Sequence, residues 1–244
     1  DFSTKNQYYV IQKQEQNMLS EELNIKAITH TNYKWLFGAF GFYQGMDNEV
    51  DMDYKLQRMS THKVYDSPTY GFALYHQSTI DKLFTDALSL TLGIRYDWEQ
   101  AHTDYKAYRS INDTTGITDS FKSKLTFRQL TPKATLQYSF SGNQLLYATV
   151  SKGYKSGGFN TSFERDEDRS FEPEYSWNYE AGTKLNFWQN RIKTELSLFY
   201  IDWRNQQIYQ PLPSGKGSML KNAGRSESKG IEFALQANVC NGFM

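Results

Sequence analysis

The region from Glu174 to Ala237 alternates between apolar and polar side chains with a period of two residues. Its first apolar positions are Trp177, Tyr179, Ala181, Leu185 and Phe187, interrupted only by Thr183. The intervening positions are Ser176, Asn178, Glu180, Gly182, Lys184 and Asn186. A β-strand directs successive side chains to opposite faces, so this pattern predicts a strand with one apolar and one polar face.

Two further runs repeat the pattern after a short break at residues 188–190. The second run sets Ile192, Thr194, Leu196, Leu198 and Tyr200 against Arg191, Lys193, Glu195 and Ser197. The third sets Ile231, Phe233, Leu235, Ala237 and Val239 against Gly230, Glu232, Ala234, Gln236 and Asn238. Long strands with one apolar face and one face rich in charges and amides are typical of a transmembrane β-barrel.

The rest of the chain extends this prediction to about ten antiparallel strands arranged up and down. Short turns are predicted around Asn32, Thr85, Gly142 and Gln189, and long loops at Met46–Pro68, Lys106–Phe121, Gly157–Pro173 and Pro211–Lys221. This alternation places short turns and long loops on opposite rims, as in outer-membrane barrels. A soluble β-sandwich has no reason to sort its loops by length in this way.

Composition narrows the class of protein further. The 27 basic and 27 acidic residues balance, so no basic field is present to attract nucleic acid. The mean hydropathy is −0.71, and no apolar run reaches the ~18–20 residues of a spanning helix. These values exclude a helical membrane anchor but not a barrel, because alternation halves the apparent hydrophobicity. The single cysteine, Cys240, cannot form an internal disulfide, and we interpret it as incidental.

Residue patterns for catalysis or metal binding are weak. No nucleophile–histidine–acid set and no phosphate-binding glycine loop stand out, and the four histidines fit no metal-ligand spacing. Asp47, Glu49, Asp51 and Asp53 could supply oxygen ligands to calcium, but they lack the spacing and the glycine of a known loop. We interpret them as a solvated loop, and we predict no enzymatic activity, no cofactor and no metal site.

Four segments resemble the β-barrel of TonB-dependent outer-membrane receptors. They are Leu146–Asn160; Glu172–Glu174 with Tyr179–Lys184; Phe199–Trp203; and Asn222–Gly224 through Lys229–Glu232, supplemented by Arg95–Asp97. The resemblance is strong over the second half of the chain and rests on the alternating pattern in the first half.

The resemblance implies active uptake of ferric siderophores, haem, cobalamin or glycans, with energy supplied through TonB. It also implies a barrel of about twenty-two strands closed around an N-terminal plug. With about ten strands, and no plug or TonB box, residues 1–244 are expected to form a partial barrel, a curved open sheet whose first and last strands are unpaired on one side. The expected location is the outer membrane. The expected partners are its lipids, TonB through the missing N-terminal part, and a small-molecule ligand such as an iron complex.

The faces of the predicted strands assign roles to particular side chains. Polar residues expected to face the lumen are Glu180, Lys184, Glu195 and Glu232, where they form inter-strand ion pairs or meet the plug. Residues expected to face lipid are Trp177, Tyr179, Leu185, Leu196, Leu198, Ile231, Phe233 and Leu235. The rings of Trp177, Tyr179, Trp188 and Tyr200 are expected to belong to interfacial girdles.

Two alternatives remain at this point. A soluble or surface β-sheet binding module would bury the apolar face against a second sheet, whereas a barrel leaves it uncovered. A passive porin-like barrel or an adhesin would share the architecture without the receptor-like segments.

Overall fold

A computed structural model describes residues 8–30, 32–112, 114–140, 144–189, 191–215 and 217–238. A short 3₁₀ turn covers Asp166–Asp168. The strands are β1 (Tyr8–His30), β2 (Tyr33–Tyr54), β3 (Met59–Asp66), β4 (Thr69–Ile80), β5 (Leu88–Ile111), β6 (Thr114–Ser139), β7 (Leu145–Lys155), β8 (Gly158–Phe159), β9 (Ser170–Phe171), β10 (Glu174–Phe187), β11 (Ile192–Arg204), β12 (Gln207–Pro211), β13 (Ser218–Asn222) and β14 (Arg225–Ala237). Within these described ranges, no helix is long and apolar enough to cross a bilayer.

Ten strands of the described chain form one sheet, in which strands close in sequence are neighbours. The order is β1-β2-β3-β5-β6-β7-β10-β11-β14, and β4 pairs with both β2 and β5. The pairings of β7, β10, β11 and β14 are antiparallel. The up-and-down antiparallel topology and the count of about ten strands are therefore confirmed. In this order β1 and β14 are the two edge strands, and their described residues do not pair with each other, as the sequence predicts.

Two of the predicted loops are wrong, because the strands continue through them. Strand β2 runs on to Tyr54 and is followed by β3, and only Asn112 and Asp113 separate β5 from β6. The acidic residues from Asp47 to Asp53 thus lie on a strand, where Asp51 is paired with His62 at 2.7 Å. A strand outside a bilayer needs no apolar face. The loss of alternation marked the end of the regular apolar face, not the end of the strand.

The other predicted boundaries changed less. The weak segment at Phe2–Gln12 and the run at Met18–Thr31 join into β1, with residues 2–7 and 31 outside the described part. The two later loops contain small hairpins of their own, β8 with β9 and β12 with β13. The Asn-Gly signal at residues 241–242 and Cys240 also lie outside the described residues.

The chain divides into two compact units. The first comprises Asp1–Glu22, Phe40–Phe72 and Trp98–Arg128. Its core is aromatic: the buried rings of Tyr65 and Tyr105 lie 4.8 Å apart between centroids, and Phe121 lies 5.1 Å from Tyr105. Pairs of aromatic rings at this separation add stability beyond the area that they bury.

The second unit comprises Leu23–Ala39, Ala73–Asp97 and Gln129–Met244, and it contains all three strands of the alternating region. Strand register brings their apolar positions into transverse rows. One row is Ala148, Ala181, Leu198 and Ile231, and the next is Leu146, Thr183, Leu196 and Phe233. Because side chains opposite one another in a ladder share a face, these rows form a continuous apolar surface.

Candidate functional site

The apolar rows are accessible at the surface of the second unit. The exposed fractions of Leu198, Ile231 and Phe233 are 51%, 71% and 65%. Tyr179, Leu196 and Leu235 are also exposed, whereas Trp177 and Leu185 are half-buried. An exposed apolar surface of this kind marks a contact with protein or with lipid. That this face contacts lipid stays a prediction.

The opposite face brings the four predicted polar residues together. Lys184 and Glu195 are direct cross-strand partners, and their Nζ and Oε2 atoms lie 3.0 Å apart. Glu180 accepts a hydrogen bond from the hydroxyl of Tyr147, and Glu232 lies opposite Ser197. All of them line one cavity of about 320 Å³. With three carboxylates and one ammonium group among the four residues, the cavity wall carries an excess of negative charge.

Gly182 explains how Tyr147 reaches this cavity. A Cβ atom at position 182 would lie 2.7 Å from the Tyr147 hydroxyl and 2.8 Å from the backbone oxygen of Leu196. Because Gly182 has no side chain, the Tyr147 ring can lie over β10 at this position. Its hydroxyl then donates to Glu180, which is two residues from Gly182 on the same face.

A network of hydrogen bonds joins the two long connections, and sequence reasoning did not find it. Asn160 is buried, and its amide nitrogen donates to the backbone oxygens of Asp168 and Leu220, both at 2.9 Å. Its Oδ1 atom accepts a hydrogen bond from the Leu220 backbone N–H at 2.8 Å. One side chain thus ties the connection between β7 and β10 to that between β11 and β14.

Further hydrogen bonds join the same two connections. The Asn222 side chain accepts from the Glu172 N–H at 2.7 Å and donates to the Glu172 oxygen at 2.8 Å. Asn205 donates to the Pro173 oxygen at 2.8 Å, and the buried Glu174 carboxylate accepts from the Gln207 N–H at 2.6 Å. Amide side chains replace backbone pairing here, which satisfies polar groups that no sheet ladder covers.

Two buried carboxylates complete the network with ion pairs. Asp168 binds Arg165 and Lys221, both at 2.9 Å. Asp202 binds Arg225 at 2.6 Å and Arg204 at 3.0 Å. A buried carboxylate is stable only when it is paired and hydrogen-bonded, and each of these has two cationic partners.

A signal for this network was present in the sequence. Asn160, Glu172, Glu174, Asp202 and Asn222 all belong to the segments that resemble the receptor family. Periodicity could not reveal their role because each also has a partner far away in the chain, such as Leu220 for Asn160 and Arg225 for Asp202.

The ion pairs of Asp168 predict a dependence of the loop network on pH. The hydrogen bond from Arg165, followed by that from Lys221, holds the pKa of the Asp168 carboxyl below its usual range. Because the pKa is lower in the folded state, the ionised carboxylate stabilises the network fully at a pH above the unfolded pKa of about 3.9. This stabilisation is lost as the pH falls from there through the lowered pKa of the folded state. We expect pepsin cleavage between residues 158 and 221 to rise as the pH falls from 5 to 2.5.

An Asp168→Asn variant corrects for the pH dependence of pepsin itself. Because asparagine does not titrate, the ratio of cleavage rates, variant to wild type, should be largest near pH 5 and shrink towards low pH. A ratio that stays constant over the whole range would contradict the role of Asp168.

No group of three or more His, Cys, Asp and Glu side chains is placed to hold a metal ion among the described residues. His62, His76 and His102 each bond to a neighbouring polar side chain, and the side chain of His30 lies outside the description.

A sequential antiparallel sheet with an exposed apolar face and a charged opposite face is characteristic of outer-membrane β-barrel proteins. The family model described as "TonB dependent receptor-like, beta-barrel" matches residues 1–243. The chain belongs to this family, which consists of outer-membrane transport receptors of Gram-negative bacteria and not of enzymes.

Individual relatives show how much of a receptor this chain represents. It is 26% identical over 201 residues to the pesticin receptor of Yersinia pestis, covering 75% of this chain and 28% of that protein. It is 30% identical over 170 residues to the metal-pseudopaline receptor CntO of Pseudomonas aeruginosa, covering 69% and 22%. The chain thus spans about a quarter of the length of these relatives.

The fold is similar to that of the ferric yersiniabactin uptake receptor FyuA from Yersinia pestis. The TM-score is 0.78 at 21% identity, and the match covers 98% of this chain and 35% of that structure. A second similar fold is the ferric-catecholate import receptor Fiu of Escherichia coli K12, with a TM-score of 0.55 at 12% identity. The soluble binding module considered above is set aside by the match to the outer-membrane receptor family.

Proposed function

We propose that residues 1–244 are part of the barrel of an outer-membrane receptor that takes up a ferric siderophore or another iron complex. Energy would be supplied through TonB, which would act on an N-terminal part outside this chain. The observation that carries the proposal is the match of the receptor barrel family to nearly the whole chain. The names of its relatives, among them a metal-pseudopaline receptor and a ferric yersiniabactin uptake receptor, support an iron or metal complex as the ligand.

The hydrogen-bonded loops support a role in ligand capture. Binding sites need side chains held in place by packing and by hydrogen bonds, because a preordered site loses less entropy when the ligand binds. Asn160 and Asn222 fix two of the long connections to each other in this way. These loops would present ligand-contacting groups on the outer rim, where outer-membrane barrels carry their long loops.

We also propose that Glu180, Lys184, Glu195 and Glu232 face the lumen and that the apolar rows contact lipid. The excess of carboxylates over cations in the polar cavity suits inter-strand ion pairs together with contacts to basic groups of a plug. This assignment is supported by the register, which separates the two sets onto opposite faces of the same strands.

Cysteine labelling would test the two faces. In a Cys240→Ser background of the full-length receptor, Ser197→Cys should react with a membrane-impermeant maleimide in isolated outer membranes. Leu198→Cys, the next residue on β11, should be protected by lipid and should react only after detergent extraction. Equal labelling at both positions before extraction would contradict the assignment of faces.

Iron-uptake assays would test the transport function. A strain that lacks the full-length receptor should lose accumulation of radioactive iron from one ferric siderophore in a panel, and the plasmid-borne gene should restore it. Deletion of tonB should abolish the restored uptake. Uptake that survives deletion of tonB would favour a passive barrel, and unchanged uptake of every iron complex would contradict the proposed ligand class.

A further inference from the structure

A groove lies on the apolar face of the second unit, and we call it the alanine groove. Ala148 and Ala181, which are opposite each other on β7 and β10, form its floor, and both are exposed. The longer side chains of Leu136 on β6 and Leu198 on β11 lie on either side in the same row. Two adjoining depressions of about 560 and 430 Å³ share these four residues and extend along the strands in opposite directions.

The side chains of this face change in character towards the long connections. Tyr179 and Tyr200 line the end of the groove nearer to these connections, with ring centroids 6.1 Å apart. Trp177 lies in the next row on the same face. On β10, the segment from Phe187 to Trp177 covers about the 9–11 residues with which a strand crosses a bilayer. Amphipathic rings at the end of such a length are typical of the depth at which headgroups meet hydrocarbon.

Cationic side chains are in excess on this face beside and beyond the tyrosines. Register places four cationic and two acidic residues there: Lys152, Arg204, Arg225 and Lys229, with Asp202 and Glu227. Both carboxylates already have arginine partners. Asp202 binds Arg204 at 3.0 Å and Arg225 at 2.6 Å, and Glu227 lies 3.4 Å from Arg225.

The two lysines of this face keep their charge available. Lys229 is exposed and forms no ion pair with any residue in the described ranges. The Nζ atom of Lys152 lies 5.1 Å from the centroid of the Tyr175 ring, a contact that leaves its positive charge uncompensated. We call Lys152, Arg204, Arg225 and Lys229 the cationic patch.

The cationic patch lies at the end of these strands that carries the long connections. A turn of four residues joins β10 to β11 at the other end, whereas residues 156–173 follow β7 and residues 205–224 follow β11. Outer-membrane barrels have short turns on the periplasmic side and long loops on the extracellular side. The patch is therefore expected at the depth of the outer-leaflet headgroups.

We propose that the alanine groove and the cationic patch together bind an anionic lipid of the outer leaflet whose headgroup carries more than one phosphate. The inference rests on the proposed assignment of this face to lipid. An acyl chain would lie along Ala148 and Ala181, and the phosphates would contact the cationic patch.

The width of the patch favours a headgroup with two phosphates over one. Neighbouring strands lie about 4.8 Å apart, so the three spacings between Lys152 on β7 and Lys229 on β14 amount to about 14 Å. A single phosphate cannot contact both lysines across this distance. A lipid is the expected source of the phosphates because a freely diffusing anion would gain nothing from the adjoining apolar groove.

Native mass spectrometry of the full-length receptor in detergent would test the proposal, with diphosphoryl lipid A as the probe. A Lys152→Gln/Lys229→Gln variant should retain this lipid about 25-fold less well, since each lysine near an anionic lipid surface contributes about fivefold. The matched control is Lys155→Gln/Lys193→Gln, which removes two exposed lysines from the opposite face of β7 and β11. The control should bind like wild type, and wild type should retain monophosphoryl lipid A less well than the diphosphoryl form.

A second variant tests the groove without changing any charge. Ala148→Phe/Ala181→Phe places two rings on the groove floor, where both alanines are exposed. Because these rings occupy the space proposed for the acyl chain, the variant should release diphosphoryl lipid A at a lower collision energy than wild type.

Four outcomes would overturn the proposal. They are equal retention by the lysine variant and its control, unchanged release from the groove variant, equal retention of zwitterionic phosphatidylcholine and lipid A by wild type, and full displacement of lipid A by millimolar inorganic phosphate. The heat-dependent shift of the barrel in electrophoresis verifies that each variant is folded. Labelling of Leu198→Cys separates this proposal from the assignment of faces: protection by lipid at this position without charge-dependent lipid retention contradicts only the lipid site.

Discussion

Replacing Leu196 by arginine is expected to lower the free energy of unfolding of the receptor barrel in lipid by about 2–4 kcal/mol. Leu196 lies in the middle of β11, between Thr183 and Phe233 in one of the apolar rows. An arginine there would have to place its guanidinium in hydrocarbon, and the penalty is largest at the bilayer midplane. Equilibrium unfolding by urea in vesicles of short-chain phosphatidylcholine, followed by tryptophan fluorescence, would measure the effect.

Ser197→Arg is the matched control, because it adds the same side chain one residue further along the same strand. Ser197 lies opposite Gly182 and Glu232, so the new guanidinium can pair with a carboxylate on the charged face. The change in free energy should stay below about 1 kcal/mol, the usual contribution of an accessible ion pair. Similar losses for both variants would show that the faces of β11 have been assigned incorrectly.

Asn160→Ala is expected to separate the two long connections, at a cost of about 2–4 kcal/mol in the free energy of local opening. The substitution removes three hydrogen bonds at once and leaves the Leu220 N–H and two backbone oxygens without their partner. Hydrogen exchange on the full-length receptor would measure the effect as a loss of protection at Leu220 and in the β12–β13 hairpin.

Asn178→Ala serves as the control for this variant. The Asn178 amide donates to Ser176 on the same strand, so its loss should leave exchange in the connections unchanged. Protection of Leu220 that survives in Asn160→Ala would mean that other contacts join the loops. A loss confined to residues 158–171 would mean that the two connections are stable independently of each other.

The sequence predicts the strands with one apolar and one polar face well, because this alternation is visible in neighbouring residues. A strand such as β11 shows its two faces in every pair of neighbouring residues, and the predicted boundary at Ile192 agrees with the structure. The polar cluster was also accessible to prediction, since Lys184 and Glu195 both occupy polar positions of the alternating pattern on strands joined by a short turn. Register then follows from the hairpin, which brings the two residues opposite each other.

The sequence predicts structure poorly where the stabilising contacts join residues that are far apart in the chain. Residues of β3 such as His62 satisfy their polar groups through partners on the adjacent strand, and no periodic apolar face is needed there. In the sequence, Asp168 looks like an ordinary acid of a loop and Asp202 like one near the end of a strand. Their burial becomes understandable only once their cationic partners are located in the structure. Lys221 lies more than fifty positions from Asp168, and no local pattern connects the two.

The pairing of strands that are close in sequence has a consequence for how the barrel is assembled. Each strand of the alternating region pairs with the strands that precede and follow it in the main sheet, and β10 is joined to β11 across a turn of four residues. Closing such short loops costs little entropy, so hairpins can form early and add to a growing sheet one after another. At every stage only the two outermost strands expose unpaired backbone groups to hydrocarbon. Insertion can therefore proceed from one end of the chain to the other without exposing interior backbone to the membrane.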